Sequence, residues 1–106
     1  MPGVPYRLKL WIDDEGVRLK ADGADAVFVR AAVVDVRGVV VPSATGRVHF
    51  SVSGAGSLAG EADVPLEMGI ASDLVRSQTQ PGLIKVAASL PGVREGSVAI
   101  SRGVGR

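Results

Sequence analysis

Few side chains in this 106-residue chain are of types that do chemistry, and their spacing decides how each is read. The single histidine, His49, alternates with Val48 and Phe50 in the run Arg47 to Ser53, RVHFSVS. Alternation of that kind sets a side chain on the solvent side of a strand whose other side is apolar. A general base or metal ligand needs a second group held beside it. A lone histidine in a chain without cysteine reads as a surface residue, and no Ser-His-Asp arrangement follows from it.

The acids fall in two places. Asp13, Asp14 and Glu15 form a compact run, and hard cations take oxygen ligands. The run lacks the spaced D-x-D-x-D-G pattern of a calcium loop, so it reads as a solvated turn. Glu61, Asp63 and Glu67 lie in Gly60 to Gly69, GEADVPLEMG, which has no clean period and contains Pro65. We expect a loop there. Paired carboxylates suit glycoside cleavage, but one must sit in a cleft with a raised pKa, and a loop on a small domain supplies neither by itself. No glycine run follows a strand and opens a helix as phosphate-binding loops do. The residues therefore predict no catalytic group, no cofactor site and no metal site.

The elements that position these groups are strands. From Ala26 to Val36 the chain is almost wholly apolar or β-branched. Val27, Val29, Ala31 and Val33 fall on one face, and Phe28, Arg30, Ala32 and Val34 on the other. The run predicts a long central strand with one face in a core, because β-branched residues lose χ1 freedom in a helix and suit a pleated surface. Asp35-Val36-Arg37-Gly38 then predicts a tight turn with positive φ at Gly38. Further strands are expected at Arg7–Ile12, Val17–Lys20, Arg47–Ser53, Ile70–Ser77, Leu83–Leu90 and Glu95–Ser101, with a very short one at Leu58. In Ile70–Ser77 two registers stay open. Either Ala71 and Val75 face inward together with Asp73, or Ile70 and Leu74 do, and then Arg76 follows them.

With 14 Gly, 6 Pro and turn signals between the runs, this is the pattern of an all-β chain. About seven antiparallel strands at this spacing predict an immunoglobulin-like β-sandwich. Residues 1–106 read as one domain, with 1–6 a linker-like N-terminus and 102–106 a tail. The net charge is +1 and the basic residues are scattered, so no nucleic-acid or anionic-lipid footprint is present. No apolar run has the length of a membrane span, and Met1 to Arg7 lacks a signal-peptide pattern. Absence of cysteine does not fix the compartment.

Several segments resemble the C-terminal immunoglobulin-like domain of glycoside hydrolase family 2 enzymes, the β-galactosidase group. They are Leu8-Lys9-Leu10, Leu19 to Gly23, Ala26 to Val29 and Val33-Val34-Asp35, then Val41-Pro42, Val48 to Gly56 and Leu58-Ala59-Gly60. Pro81 to Ser89 followed by Pro91-Gly92-Val93 completes the likeness, which runs from about Leu8 to Ile100. Invasin-type bacterial immunoglobulin-like domains share the turn after the first strands and the V-x-F strand. One loop departs from the family: Gly60-Glu61-Ala62-Asp63-Val64-Pro65 stands where an N-G-D-P-like sequence is common.

The resemblance implies a non-catalytic accessory domain, excised from a larger glycosidase whose catalytic carboxylates lie on a separate barrel. Its partners would be the neighbouring domains, and the parent enzyme would be extracellular or periplasmic. An adhesin-type spacer and a carbohydrate-binding module are the alternative classes, so carbohydrate stays a possible partner. The candidate interface is Trp11, opposite in phase to Leu8, Leu10 and Ile12 and so on an outer face, with Glu61, Asp63, Leu66 and Met68 of the loop. Val64, Leu66 and Met68 either close the end of the sandwich or meet a neighbouring domain, and the residues alone leave both open.

Overall fold

The computed structural model describes residues 3–13, 26–54, 56–77 and 82–101. The expected strand at Val17–Lys20 and the Asp14–Glu15 part of the acidic run lie outside the described residues. The described residues form eight strands in two four-stranded sheets, an all-β immunoglobulin-like sandwich. One sheet runs β1 (Arg7–Asp13), β2 (Ala26–Val34), β6 (Ile70–Ser77), β4 (Gly56–Leu58). The other runs β5 (Asp63–Pro65), β3 (Arg47–Gly54), β7 (Leu83–Ser89), β8 (Gly96–Ser101). All the strand pairs are antiparallel.

The core is the meeting of the two inward faces. Val29, Ala31 and Val33 of β2 and Ala71 and Val75 of β6 bury against Val48 and Phe50 of β3 and Ile84, Val86 and Ala88 of β7. Leu8 closes it from β1. The alternation expected in β3 and β7 is present residue by residue. In β6 the first of the two registers is the one adopted: Ala71, Asp73 and Val75 all point inward. Burying Ala71 and Val75 draws the aspartate in with them, since every second residue shares a face.

Three expectations need correction. Strand β5 and the ladder around it occupy part of the segment expected as a loop. Strand β5 pairs the edge of β3: the Phe50 amide donates to Ala62 O at 2.7 Å and the Leu66 amide donates to Gly46 O at 2.9 Å. Pro65 is tolerated because β5 is an edge strand and its missing N–H costs no ladder bond. The described strands number eight, in keeping with the about seven expected, and β5 is the one the sequence did not single out. Strand β2 is also not one-sided: Ala32 and Val34 on its outer face are as buried as the core residues. Trp11 of β1 lies beside them, and Val40 bridges to Val34.

The central strand stops at Val34, short of the expected Val36, because the chain reverses. Gly38 N–H donates to Asp35 O at 3.0 Å and Asp35 N–H to Val39 O at 2.9 Å, which makes a three-residue hairpin loop. Gly38 has φ of 86°, the left-handed position that such a loop requires after its type I turn. The stretch Val39 to Val41 then runs back along β2, with Val41 N–H on Val33 O.

Val33→Asp places an unpaired charge at a fully buried site of β2 and is expected to cost about 3 kcal/mol or more in urea melts. His49→Ala, on the exposed face of β3, is expected to stay within about 0.5 kcal/mol in the same melts.

Candidate functional site

The residues singled out from the sequence do not converge on one place. His49 is exposed, as expected, but it has a partner. Its Nδ1 lies 3.0 Å from Asp63 Oδ1, across the β3–β5 register that sets the two residues opposite one another. Both side chains are more than half exposed, at 56% and 61%, so the pair is a surface contact worth about 1 kcal/mol or less. The segment around Asp63 has no period that predicts a strand, and only strand pairing brings it opposite His49.

Glu61 and Glu67 are exposed. Among the described residues no three His, Cys, Asp or Glu side chains group as a metal site would require. One open depression of about 450 Å³ lies between Pro5, the Ser43–Thr45 turn and the Leu90–Val93 turn, and none of its lining residues ionises. A second, about 320 Å³, lies on the outer face of the β1–β2 sheet between Trp11, Lys9, Ala32, Val34, Gly38 and Val40. Its walls are largely apolar. Trp11 is half-buried there, less open than its phase alone suggested.

The apolar residues of the Glu61–Met68 segment divide. Val64 and Leu66 are partly buried and rest on the core, so they close this end of the sandwich. Met68 is 75% exposed. It occupies a two-residue turn with Gly69, in which Ile70 N–H donates to Glu67 O and Glu67 N–H to Ile70 O, at 3.0 and 2.9 Å. Both turn residues have positive φ, 52° at Met68 and 80° at Gly69, as a primed hairpin turn demands. Methionine is an unusual residue for that backbone, which Asn or Gly adopts at less cost.

Among the described residues two acids are buried, and their environments oppose one another. Asp35 accepts from three backbone amides: Gly3 on Oδ2, and Arg37 and Val39 on Oδ1, at 2.9 to 3.0 Å. These bonds hold its carboxyl below the usual carboxylate range, the Gly3 amide contributing most. Asp73 has one good bond, Leu74 N–H to Oδ1 at 2.8 Å, while Oδ2 is buried without a partner. Burial pushes the Asp73 carboxyl up, and the charge of Glu61 adds to the push. Gly60 lies directly against Asp73 Oδ1, where a Cβ would collide with the carboxylate. That contact gives the Leu58-Ala59-Gly60 segment its glycine.

The immunoglobulin-like sandwich has a counterpart in the D00–D0 domain of intimin. That likeness has a TM-score of 0.62 at 23% identity over 91% of this chain and 45% of that one. Sequence places the chain more narrowly. Residues 8–99 match the glycoside hydrolase family 2 C-terminal domain 5, and the chain belongs to that family.

It is 39% identical over 95 residues to a beta-galactosidase of Thermoanaerobacter pseudethanolicus, an alignment covering 90% of this chain and 12% of that protein. It is 32% identical over 109 residues to a beta-glucuronidase of Formosa agariphila, covering 92% and 11%. The structure of a beta-glucuronidase from glycoside hydrolase family 2 superposes with a TM-score of 0.88 at 30% identity, over 97% of this chain and 12% of that one. The chain thus spans about an eighth of the length of the relatives it matches.

Two substitutions test the buried acid and the turn. The folded pKa of Asp73 is raised, so the native state binds the proton more tightly than the unfolded chain does. The contribution of this group is then fully present below the ordinary value of 3.8 and is lost as pH rises through the raised one. Asp73→Asn is expected to raise the urea midpoint at pH 7, with the advantage shrinking toward pH 3. Met68→Asn, which suits the turn backbone better, is expected to gain about 0.5–1 kcal/mol at any pH in thermal or urea melts.

Proposed function

We propose that this chain is a non-catalytic accessory domain of a larger family 2 glycosidase acting on β-galactosides, β-glucuronides or related sugars. It packs against the neighbouring domains and orients them. The observation that carries this reading is the alignment itself: nine-tenths of this chain corresponds to about an eighth of enzymes named beta-galactosidase and beta-glucuronidase. The distribution of acids supports it. Glycoside cleavage needs two carboxyl groups flanking one bond, one of them with a raised pKa. Among the described residues the acid with a raised pKa, Asp73, points into the core, and Asp63 is engaged with His49 on the surface. The candidate contact residues from the sequence, Trp11, Glu61, Asp63, Leu66 and Met68, enter this proposal unequally. Trp11 and Met68 offer apolar surface, whereas Leu66 is committed to the core.

The purified 106-residue chain is expected to show no turnover of aryl β-galactosides or aryl β-glucuronides. Activity that stays with the folded protein and is abolished by Glu61→Gln or Asp63→Asn would sink the proposal.

A further inference from the structure

The two ends of the sandwich are unlike. At one end β1, β3, β6 and β8 begin and β2 and β7 finish, since Arg7 pairs with Val34, Ile70 with Ala32, His49 with Ser89 and Gly96 with Ala88. A bridge from Arg7 to Arg94 ties the two sheets together there. Among the described residues six large apolar side chains are exposed, and four of them, Val4, Val36, Val39 and Met68, lie on the segments of this end. The other two, Phe28 and Leu83, lie toward the opposite end, near the starts of β2 and β7. An exposed valine by itself is ordinary, whereas a group of apolar side chains on one end marks a contact surface.

The four are brought together by backbone bonds. The Gly3 amide on Asp35 Oδ2 sets Val4 beside the hairpin that carries Val36 and Val39. Val33 N–H donates to Gly69 O at 2.9 Å, and a Cβ on Gly69 would collide with Val41 O, so the Met68 turn is pressed against the chain leaving that hairpin. The open depression bounded by Pro5, Ala44, Leu90 and Val93 belongs to the same end.

Met68 carries the argument further. Its φ of 52° is a backbone state in which a long side chain costs more than Asn or Gly. A residue kept in such a state is offset by what its side chain touches, and here that side chain is 75% exposed. Methionine is flexible and favoured at protein contacts.

The chain also enters the domain at this end. Tyr6 N–H donates to Val34 O and Arg94 N–H to Tyr6 O, both at 2.9 Å, and Arg94 stacks over the Tyr6 ring at 5.2 Å. Strand β8 finishes at the opposite end, where Ser101 pairs with Leu83. A domain joined ahead of Gly3 is therefore tethered beside Val4, Val36 and Met68, and one joined beyond Ser101 is tethered beside Leu83. The matched family is a C-terminal domain, and the relatives extend far beyond the aligned eighth of their length.

We propose that this end of the sandwich is the surface on which the preceding domain of the same polypeptide docks, with Met68 inserted into an apolar recess of that partner. The inference rests on the reading of the chain as one domain of a longer enzyme. A second copy of this chain is the poorer occupant, because the polypeptide ahead of Gly3 leaves from the same surface.

Hydroxyl-radical footprinting of the full-length polypeptide and of the 106-residue chain tests this. Met68 is expected to lose reactivity several-fold in the full-length protein, while Phe28 and Leu83 keep theirs. Met68→Asn is expected to speed proteolytic release of the domain from the full-length protein several-fold, yet to raise the urea midpoint of the isolated chain. Leu83→Thr is expected to leave release unchanged. Protection of Phe28 or Leu83, with or without that of Met68, would overturn the assigned end and leave the accessory role standing. Protection at neither end, or a reading frame of these 106 residues alone, would overturn both. Met68 protection that rises with concentration in the isolated chain, with a dimer in sedimentation, would overturn the choice of occupant. Release unchanged by Met68→Asn, or equally fast with Leu83→Thr, would overturn the role of Met68.

Discussion

The carboxylate of Asp35 is the point at which three parts of the chain are tied. One oxygen takes the Gly3 amide, thirty-two residues away, and the other takes the Arg37 and Val39 amides of its own turn. A charged acceptor shared among backbone donors is a strong arrangement, because each bond is charge-assisted. It ends β2 at Val34, shapes the hairpin that returns through Val40, and lays the N-terminal segment beside the strand. Tyr6 N–H then reaches Val34 O, and β1 enters its ladder in register from Arg7. Leu8 reaches the core only in that register.

The hairpin has a second effect. Returning along β2, it sets Val40 opposite Val34 on the outer side of the sheet. With Trp11 on the other flank, the outer residues Ala32 and Val34 are buried although they face away from the core. The outer face of the opposite sheet carries Ser51 and Ser53 together with Arg47, His49 and Lys85, and is solvated in the ordinary way. The asymmetry between the faces thus begins with a turn and the acid that organises it.

Much of this architecture is written in period-two alternation. Val48 and Phe50, and Ile84, Val86 and Ala88, could face only one way if a core was to form. Gly38 is legible for a different reason: a strand that reverses within three residues needs a left-handed position, and glycine occupies it without steric cost. The family resemblance is legible from segments near those same turns, since turn chemistry tolerates few residue types.

The candidate contact surface was less legible. Trp11 could be placed on an outer face by phase, but its half-burial depends on Val34 and Val40, which reach it only through the hairpin. The inward turn of Asp73 had two equally periodic solutions, and the choice was made by Val75 and Ala71 meeting the opposite sheet. Strand β5 has no period of its own and exists because the edge of β3 needs acceptors, which also sets Asp63 opposite His49. By itself the sequence determined which residues alternate, where the chain must turn and which family it resembles, because those follow from local sterics and side-chain spacing. Tertiary structure alone decided the register of β6, the pairing of β5 and the covering of β2, because each depends on what a distant strand presents to it.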